Sequence, residues 1–255
     1  MKLLLVADLH YTLKQFDWLL AEAQYYDVIV IAGDLLELSS LATPEAQIVV
    51  MRTYLKRIAA VAQLVVCSGN HDLDDEVAGE RVACWIKALD GLRLCVDGQH
   101  IVIGDAIISA LPWWDGPLTK AQIEEQLARD AEYRSEGRSW IWAHHAPPAN
   151  SGLSWNGTRS FGDTDLLRWI ETFQPDIVFS GHVHQAPFAS GGTWVEEING
   201  AWCFNMGQQI GPVPCHIAIN LAEREAVWLS HVGLEKLQMI RDAAPVPQNE
   251  LPEWF

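Results

Sequence analysis

Histidines and carboxylates recur in this sequence in five short blocks: Asp8-Leu9-His10, Gly33-Asp34, Gly69-Asn70-His71-Asp72, His144-His145 and Gly181-His182-Val183-His184. A mixed set of carboxylate oxygens and imidazole nitrogens suits manganese, iron or zinc better than calcium, which prefers oxygen alone. Taken singly, each block has a plainer reading. Asp-x-His occurs in surface turns, Gly-Asp marks strand ends, and Gly-Asn-His-Asp suits a polar loop whose Asn tolerates left-handed backbone. Two histidines at i and i+2 simply share one face of a strand. Six of the nine histidines nevertheless fall in these five blocks. Core packing has no need to gather them in this way.

Each block directly follows a short apolar run, at residues 3–6, 28–32, 64–67, 140–143 and 177–180. These runs read as buried strands with helices between them. Phe16, Leu19, Leu20 and Ala23 mark a helical face, opened by Thr12 and Gln15 as a capping box. Thr43-Pro44 opens a second helix, which continues through Ile48, Met51 and Leu55 toward Ile58. The strand–helix–strand–helix–strand start implies a largely parallel sheet with right-handed crossovers. In such a sheet ligands bind beyond the carboxyl ends of the strands, where the five blocks stand.

The middle is less regular, with short strands expected at 93–96, 101–103 and 106–110. A polar helix toward Tyr133 is opened by Thr119 and Gln122, and a further helical face comes from Leu166, Trp169, Ile170 and Phe173. Residues 193–230 alternate without helices, which predicts a mainly antiparallel second sheet. The expectation is one α/β domain over residues 1–240, built of two packed β-sheets with helices outside, and an extended tail over 241–255.

Composition narrows the function. The chain has 255 residues, 33 Asp plus Glu and 17 Lys plus Arg, giving a formal charge of −16. A protein that coats extended nucleic acid or an anionic membrane by charge alone needs a basic face, so both are excluded as expectations. An anionic substrate remains open, because bound cations reverse the local sign. The five cysteines form no Cys-x-x-Cys and are odd in number, which fits thiols of a reducing cytoplasm. The first apolar run ends at Asp8, too short for an export signal, and no window approaches the roughly 18 apolar residues of a membrane span.

Five blocks in this order resemble the calcineurin-like metallophosphoesterase superfamily, whose pattern runs DxH, GD, GNH(D/E), a histidine after a strand, and GHxH. The resemblance covers Asp8 to His184 and implies a four-layer α/β/β/α sandwich of two mixed sheets. It also implies two divalent or trivalent metal ions, manganese, iron or zinc, bridged by one carboxylate and a water or hydroxide that attacks phosphorus. Carried over by position, Asp8, His10 and His184 resemble ligands of one metal, Asp34 the bridge, and Asn70 and His182 ligands of the other. His144 or His145 completes the second set; Pro147, two residues after His145, points to His145. His71 resembles the histidine that assists departure of the leaving oxygen, with Asp72 orienting it.

Substrate choice is less legible. Trp113 and Trp114 suit either an aromatic wall for a nucleobase or lipid headgroup, or packing on the sheet flank. Arg159, in the glycine- and serine-rich segment 151–162, suits either a phosphate clamp or a solvated surface position. Asn205-Met206-Gly207-Gln208 stands where relatives often carry Asn-Pro-Gly-Ser. A small phosphodiester is the expected substrate of a small soluble enzyme, by analogy with compact relatives. A phosphomonoester is the alternative, and a non-catalytic scaffold is the reading from another class. A nuclease fits poorly with −16.

Overall fold

The computed structural model describes residues 1–91 and 93–255. The chain begins as β1 (Lys2–Val6), α1 (Leu13–Glu22), β2 (Val28–Ala32), α2 (Pro44–Ala59) and β3 (Gln63–Cys67). A hairpin of β4 (Asp75–Val77) and β5 (Glu80–Val82) follows, then α3 (Cys84–Lys87), β6 (Leu94–Val96), β7 (His100–Ile103) and β8 (Ala106–Ala110). Next come α4 (Pro117–Ala131), β9 (Ser139–Ala143), α5 (Thr164–Phe173), β10 (Ile177–Ser180), β11 (Val195–Ile198) and β12 (Ala201–Asn205). Strands β13 (His216–Asn220), β14 (Glu225–Ser230), β15 (Gly233–Gln238) and β16 (Val246–Gln248) complete the order.

The central strands are apolar on both faces because both faces are buried. In β1, Leu3 and Leu5 point to one cluster while Leu4 and Val6 point to another. The first cluster lies between two sheets, where Val28, Val30 and Val65 meet Ile108, Ile141, Phe179 and Phe204. The second packs the outer face of one sheet on Phe16, Leu19, Met51, Leu55 and Ile58 of α1 and α2. A third packs Ile107, Trp140, Trp142 and Val178 of the other sheet on Ile123, Leu127, Leu166, Trp169 and Ile170 of α4 and α5. The result is the four-layer α/β/β/α arrangement of two mixed sheets.

One sheet has eight strands in the order β16-β15-β14-β13-β1-β2-β3-β6, and the other has six in the order β11-β12-β10-β9-β8-β7. The expectation that residues 193–230 form the second sheet needs correction. Those strands divide: β11 and β12 extend the six-stranded sheet, with β12 parallel to β10, while β13 and β14 join the eight-stranded sheet beside β1. Pairing partners distant in sequence set this division, and alternation along the segment carries no trace of them. Beyond residue 240, β16 pairs with β15, and Trp254 and Phe255 pack against the cluster under α1 and α2.

Two of the expected helix starts also differ. Thr12 precedes α1 but its side chain makes no capping bond; the Gln15 amide donates to the Thr12 carbonyl instead, and the Gln15 side chain donates to the carbonyls of Gln209 and Gly211. Helix α4 starts at Pro117, earlier than Thr119, and its free amides at Leu118 and Thr119 donate to the two oxygens of Glu80 at 2.7 Å each. A carboxylate from a separate hairpin thus does the work of a local cap. Thr43 does cap α2, accepting from the amide of Ala46.

Phe204 is fully buried between the sheets, 5.9 Å from Phe179 and 6.0 Å from Trp194 by ring centroid. Phe204→Ala is expected to destabilise the fold by about 3–5 kcal/mol. Urea unfolding should show the midpoint falling with little change in slope; a loss below about 1 kcal/mol would contradict the two-sheet core.

Candidate metal centre

The strands that carry the blocks are neighbours. In one sheet β1, β2 and β3 lie side by side and parallel, delivering Asp8, Asp34 and Asn70 to one edge. In the other, β9 and β10 are parallel neighbours and deliver His145 and His182. The backbone leaves the strands abruptly. Asp8, His10, Asp34 and His182 have φ of 54°, 42°, 54° and 66°. Left-handed backbone at four non-glycine residues costs about 1–3 kcal/mol each and persists only where the surroundings enforce it, typically at functional sites. The glycines beside them make room: a Cβ at Gly69 would overlap the Asp34 carboxylate, and one at Gly181 would overlap that of Asp8.

Asp8 and Asp34 form the buried centre, each at most 2 % exposed. His184 Nε2 lies 3.2 Å from Asp8 Oδ1, and His10 Nε2 lies 3.2 Å from His184 Nε2 and 3.7 Å from Asp34 Oδ2. On the other side His145 Nε2 is 3.2 Å from Asp34 Oδ2 and 3.8 Å from Asp8 Oδ1. Asn70 Oδ1 and His182 Nδ1 meet at 2.9 Å. Donor atoms of Asp8, His10 and His184 gather within 4.8 Å of one another, as do those of Asp8, Asp34 and His145. The Asn70–His182 pair lies beside them, the His182 ring 5.2 Å from that of His145 and the His182 amide donating to Asp8, so all seven residues expected as ligands come together.

The electrostatics favour positive charge here. Burial pushes the Asp8 carboxyl up, but the hydrogen bond with His184 and the imidazole charges bring it below its usual range. Burial likewise opposes ionisation of Asp34, and His145 overcomes it. Burial pushes His145 down, yet the Asp34 charge prevails and lifts it to about 9. His182 moves the other way, to about 4, through burial and the neighbouring His145 charge. His145 Nδ1 is committed to the carbonyl of Ala32 at 2.7 Å, where it donates. Its Nε2 faces the carboxylates, buried and without a hydrogen-bond partner. An orphaned imidazole nitrogen beside two buried carboxylates is the donor set a transition-metal ion takes.

Geometry sends the two histidines of the pair to different surroundings, with His145 against the carboxylates. His144 points to the opposite side of the strand, fully buried, with Nε2 3.3 Å from Asp163 Oδ2. His71 lies against the centre, its Nε2 4.0 Å from Asp34 Oδ2 and its ring 4.6 Å from that of His10. The expectation that Asp72 orients His71 is corrected. Asp72 Oδ1 accepts the amides of Leu35 and Leu36 and Oδ2 that of Gly69, while His71 Nδ1 has no partner. The reason is that Asp72 is turned inward, fully buried, where it ties the GD and GNHD loops together. Burial and the nearby Asp34 charge raise its pKa to about 8.

Of the residues expected near substrate, Trp113 stands beside the centre, its ring 5.3 Å from His182 and 5.7 Å from His145. Arg159 is exposed and stacks its guanidinium over Phe161 at 4.4 Å. Two supporting residues were not expected. Gln208 donates to the carbonyl of Asp8 at 3.0 Å, and Glu37 Oε2 lies 3.3 Å from His10 Nδ1. Gln208 lies in the Asn205-Met206-Gly207-Gln208 segment noted above, and Glu37 follows Asp34 by three residues, so proximity to those segments is the available hint.

The calcineurin-like phosphoesterase family profile matches residues 1–186. The chain belongs to that family. Similar solved folds include TT1561 of Thermus thermophilus, at 14 % identity with a TM-score of 0.57, covering 92 % of this chain and 97 % of that one. The purple acid phosphatase PPD1 from yellow lupin seeds, also 14 % identical, has a TM-score of 0.56 over 97 % of this chain and 53 % of its own. No curated protein matches the sequence. Membership of the family, with these carboxylates and imidazoles, supports metal-dependent phosphoester hydrolysis as the class of chemistry. No helix among the described residues is long and apolar enough to cross a membrane.

Glu37 stands at ion-pair distance from His10 Nδ1, which has no hydrogen-bond partner. Glu37→Ala is expected to weaken manganese binding about 10- to 100-fold, the usual effect of losing a partner behind a metal ligand. Isothermal titration with manganese checks this; unchanged affinity would show that Glu37 leaves His10 unaffected.

Proposed function

We propose that the protein hydrolyses a small phosphodiester at a dinuclear metal centre. The observation that carries this reading is the convergence of His10, His145 and His184 on the buried Asp8–Asp34 pair, with the Asn70–His182 pair beside His145. Asp8, His10 and His184 would hold one ion and Asn70, His145 and His182 the other, with the Asp34 carboxylate available to both. Manganese, iron or zinc suits this mixed oxygen and nitrogen set. Bound there, the ions supply Lewis-acid polarisation of the phosphoryl oxygens and a water of lowered pKa.

The chain's own residues do the rest. Asn70 offers a neutral carbonyl oxygen, which limits the negative charge met by an incoming phosphate. The Asp34 carboxylate is held in place by the amide of His71 at 2.9 Å and by the enforced backbone on either side. His71 has its side chain a quarter exposed and its Nε2 toward the centre, so it reaches both solvent and the phosphoryl group. It donates the proton that the departing oxygen requires. Asp72 acts through the loops it ties together rather than on His71 directly. The diester preference rests on analogy with compact family members. We place the protein in the cytoplasm on its cysteine usage.

Protein reconstituted with manganese should hydrolyse bis-p-nitrophenyl phosphate faster than p-nitrophenyl phosphate. The reverse order would favour the monoesterase reading, and no hydrolysis of either would favour a scaffold. Asp34→Ala is expected to abolish turnover and lower metal content together. His71→Ala should reduce kcat by about 10²- to 10⁴-fold with metal content retained, and full activity in that variant would remove His71 from the reaction.

A further inference from the structure

Next to the metal centre lies a cavity of about 390 Å³, lined by Trp113, Trp114, Asp115, Phe161 and His182 among others. His182 belongs to both, so the cavity opens directly onto the second half of the centre. Three aromatic rings supply its walls. Trp113 is set by its amide, which donates to Ser68 Oγ at 2.9 Å, and Ser68 is in turn held by Asp97. Trp114 donates through Nε1 to Asp163 Oδ2 at 2.6 Å, and Lys120 stands over its ring at 4.3 Å. The same Asp163 oxygen faces His144, so the strand that presents His145 and the wall of the cavity share one support. Phe161 is backed by Arg159. The walls are thus preformed, with a cation behind two of them, while no lysine or arginine lines the cavity itself.

We infer that this cavity receives a neutral, planar aromatic group of the substrate, a nucleobase attached through its sugar to the phosphate being cleaved. The inference rests on the phosphoesterase reading of the adjoining centre and names its substrate class. Aromatic faces stack on any base. The absence of a lining cation and the presence of Asp115 and Asp163 disfavour a second phosphate there. The volume is at the lower end of ligand cavities, about 300–1,000 Å³, enough for one ring system and too small for a long acyl chain.

Calorimetry on the manganese-loaded protein tests it with the phosphonate analogues of AMP and ribose 5-phosphate, whose P–C bond resists hydrolysis. The AMP analogue should bind about 10- to 100-fold more tightly. Phe161→Ala or Trp113→Ala should erase most of that preference, with circular dichroism confirming the fold; Phe161 is 38 % exposed and suits truncation. Equal binding of the two analogues, binding of neither, or a preference that survives in both variants overturns the inference. Hydrolysis of bis-p-nitrophenyl phosphate by the same preparation separates the two readings. Turnover without base preference leaves the catalytic reading and removes the cavity assignment, and base preference without turnover does the opposite.

Discussion

Two carboxylates of like charge, Asp8 and Asp34, are buried side by side where two sheets meet, and most of the molecule's unusual features follow from keeping them there. Buried like charges repel strongly unless positive charge stands between them. The imidazoles of His10, His145 and His184 surround them, the amides of His182 and His71 donate to them, and the backbone around them is left-handed at positions that ordinarily avoid it. That concentration of strain and desolvation is poorly explained by stability. It is well explained by a cation site.

The four-layer fold supplies the rigid frame. The parallel strands β1, β2 and β3 bring three motifs to one edge, and β9 and β10 bring two more from the facing sheet. The inter-sheet core of valine, isoleucine and phenylalanine fixes the two edges relative to each other. Behind the ligands, Asp72 ties one pair of loops, Gln208 holds the carbonyl of Asp8, and Asp163 braces both the His144 strand and the Trp114 wall. The arrangement thus depends on Gln208 and Asp163, which lie outside the five blocks, as well as on Asp72 within one of them.

Much of this was legible beforehand, for a local reason. Strand ends and the residues just after them are contiguous in sequence, so Asp8, Asp34, Asn70 and His182 could be placed without knowing which strands pair. The same locality favoured His145 over His144, since alternation past the end of β9 sends the two rings to opposite sides and Pro147 follows His145 by two residues. What escaped was non-local. Division of residues 193–230 between two sheets depends on partners such as β1 and β10, and the capping of α4 depends on Glu80, far back in the chain. The role of Asp72 was misread because adjacency to His71 says nothing about which way a buried side chain turns. Phe161 gave no signal because its meaning comes only from facing Trp113 and Trp114 across a cavity.

The central claim is that the Asp8–Asp34 cluster holds two metal ions and that both are needed for hydrolysis. Equilibrium dialysis against manganese, with elemental analysis and a parallel assay on bis-p-nitrophenyl phosphate, tests it most directly. The account predicts saturation at two ions per chain, with turnover rising as the second site fills. Saturation at one ion or none, or turnover that survives complete chelation, would contradict it.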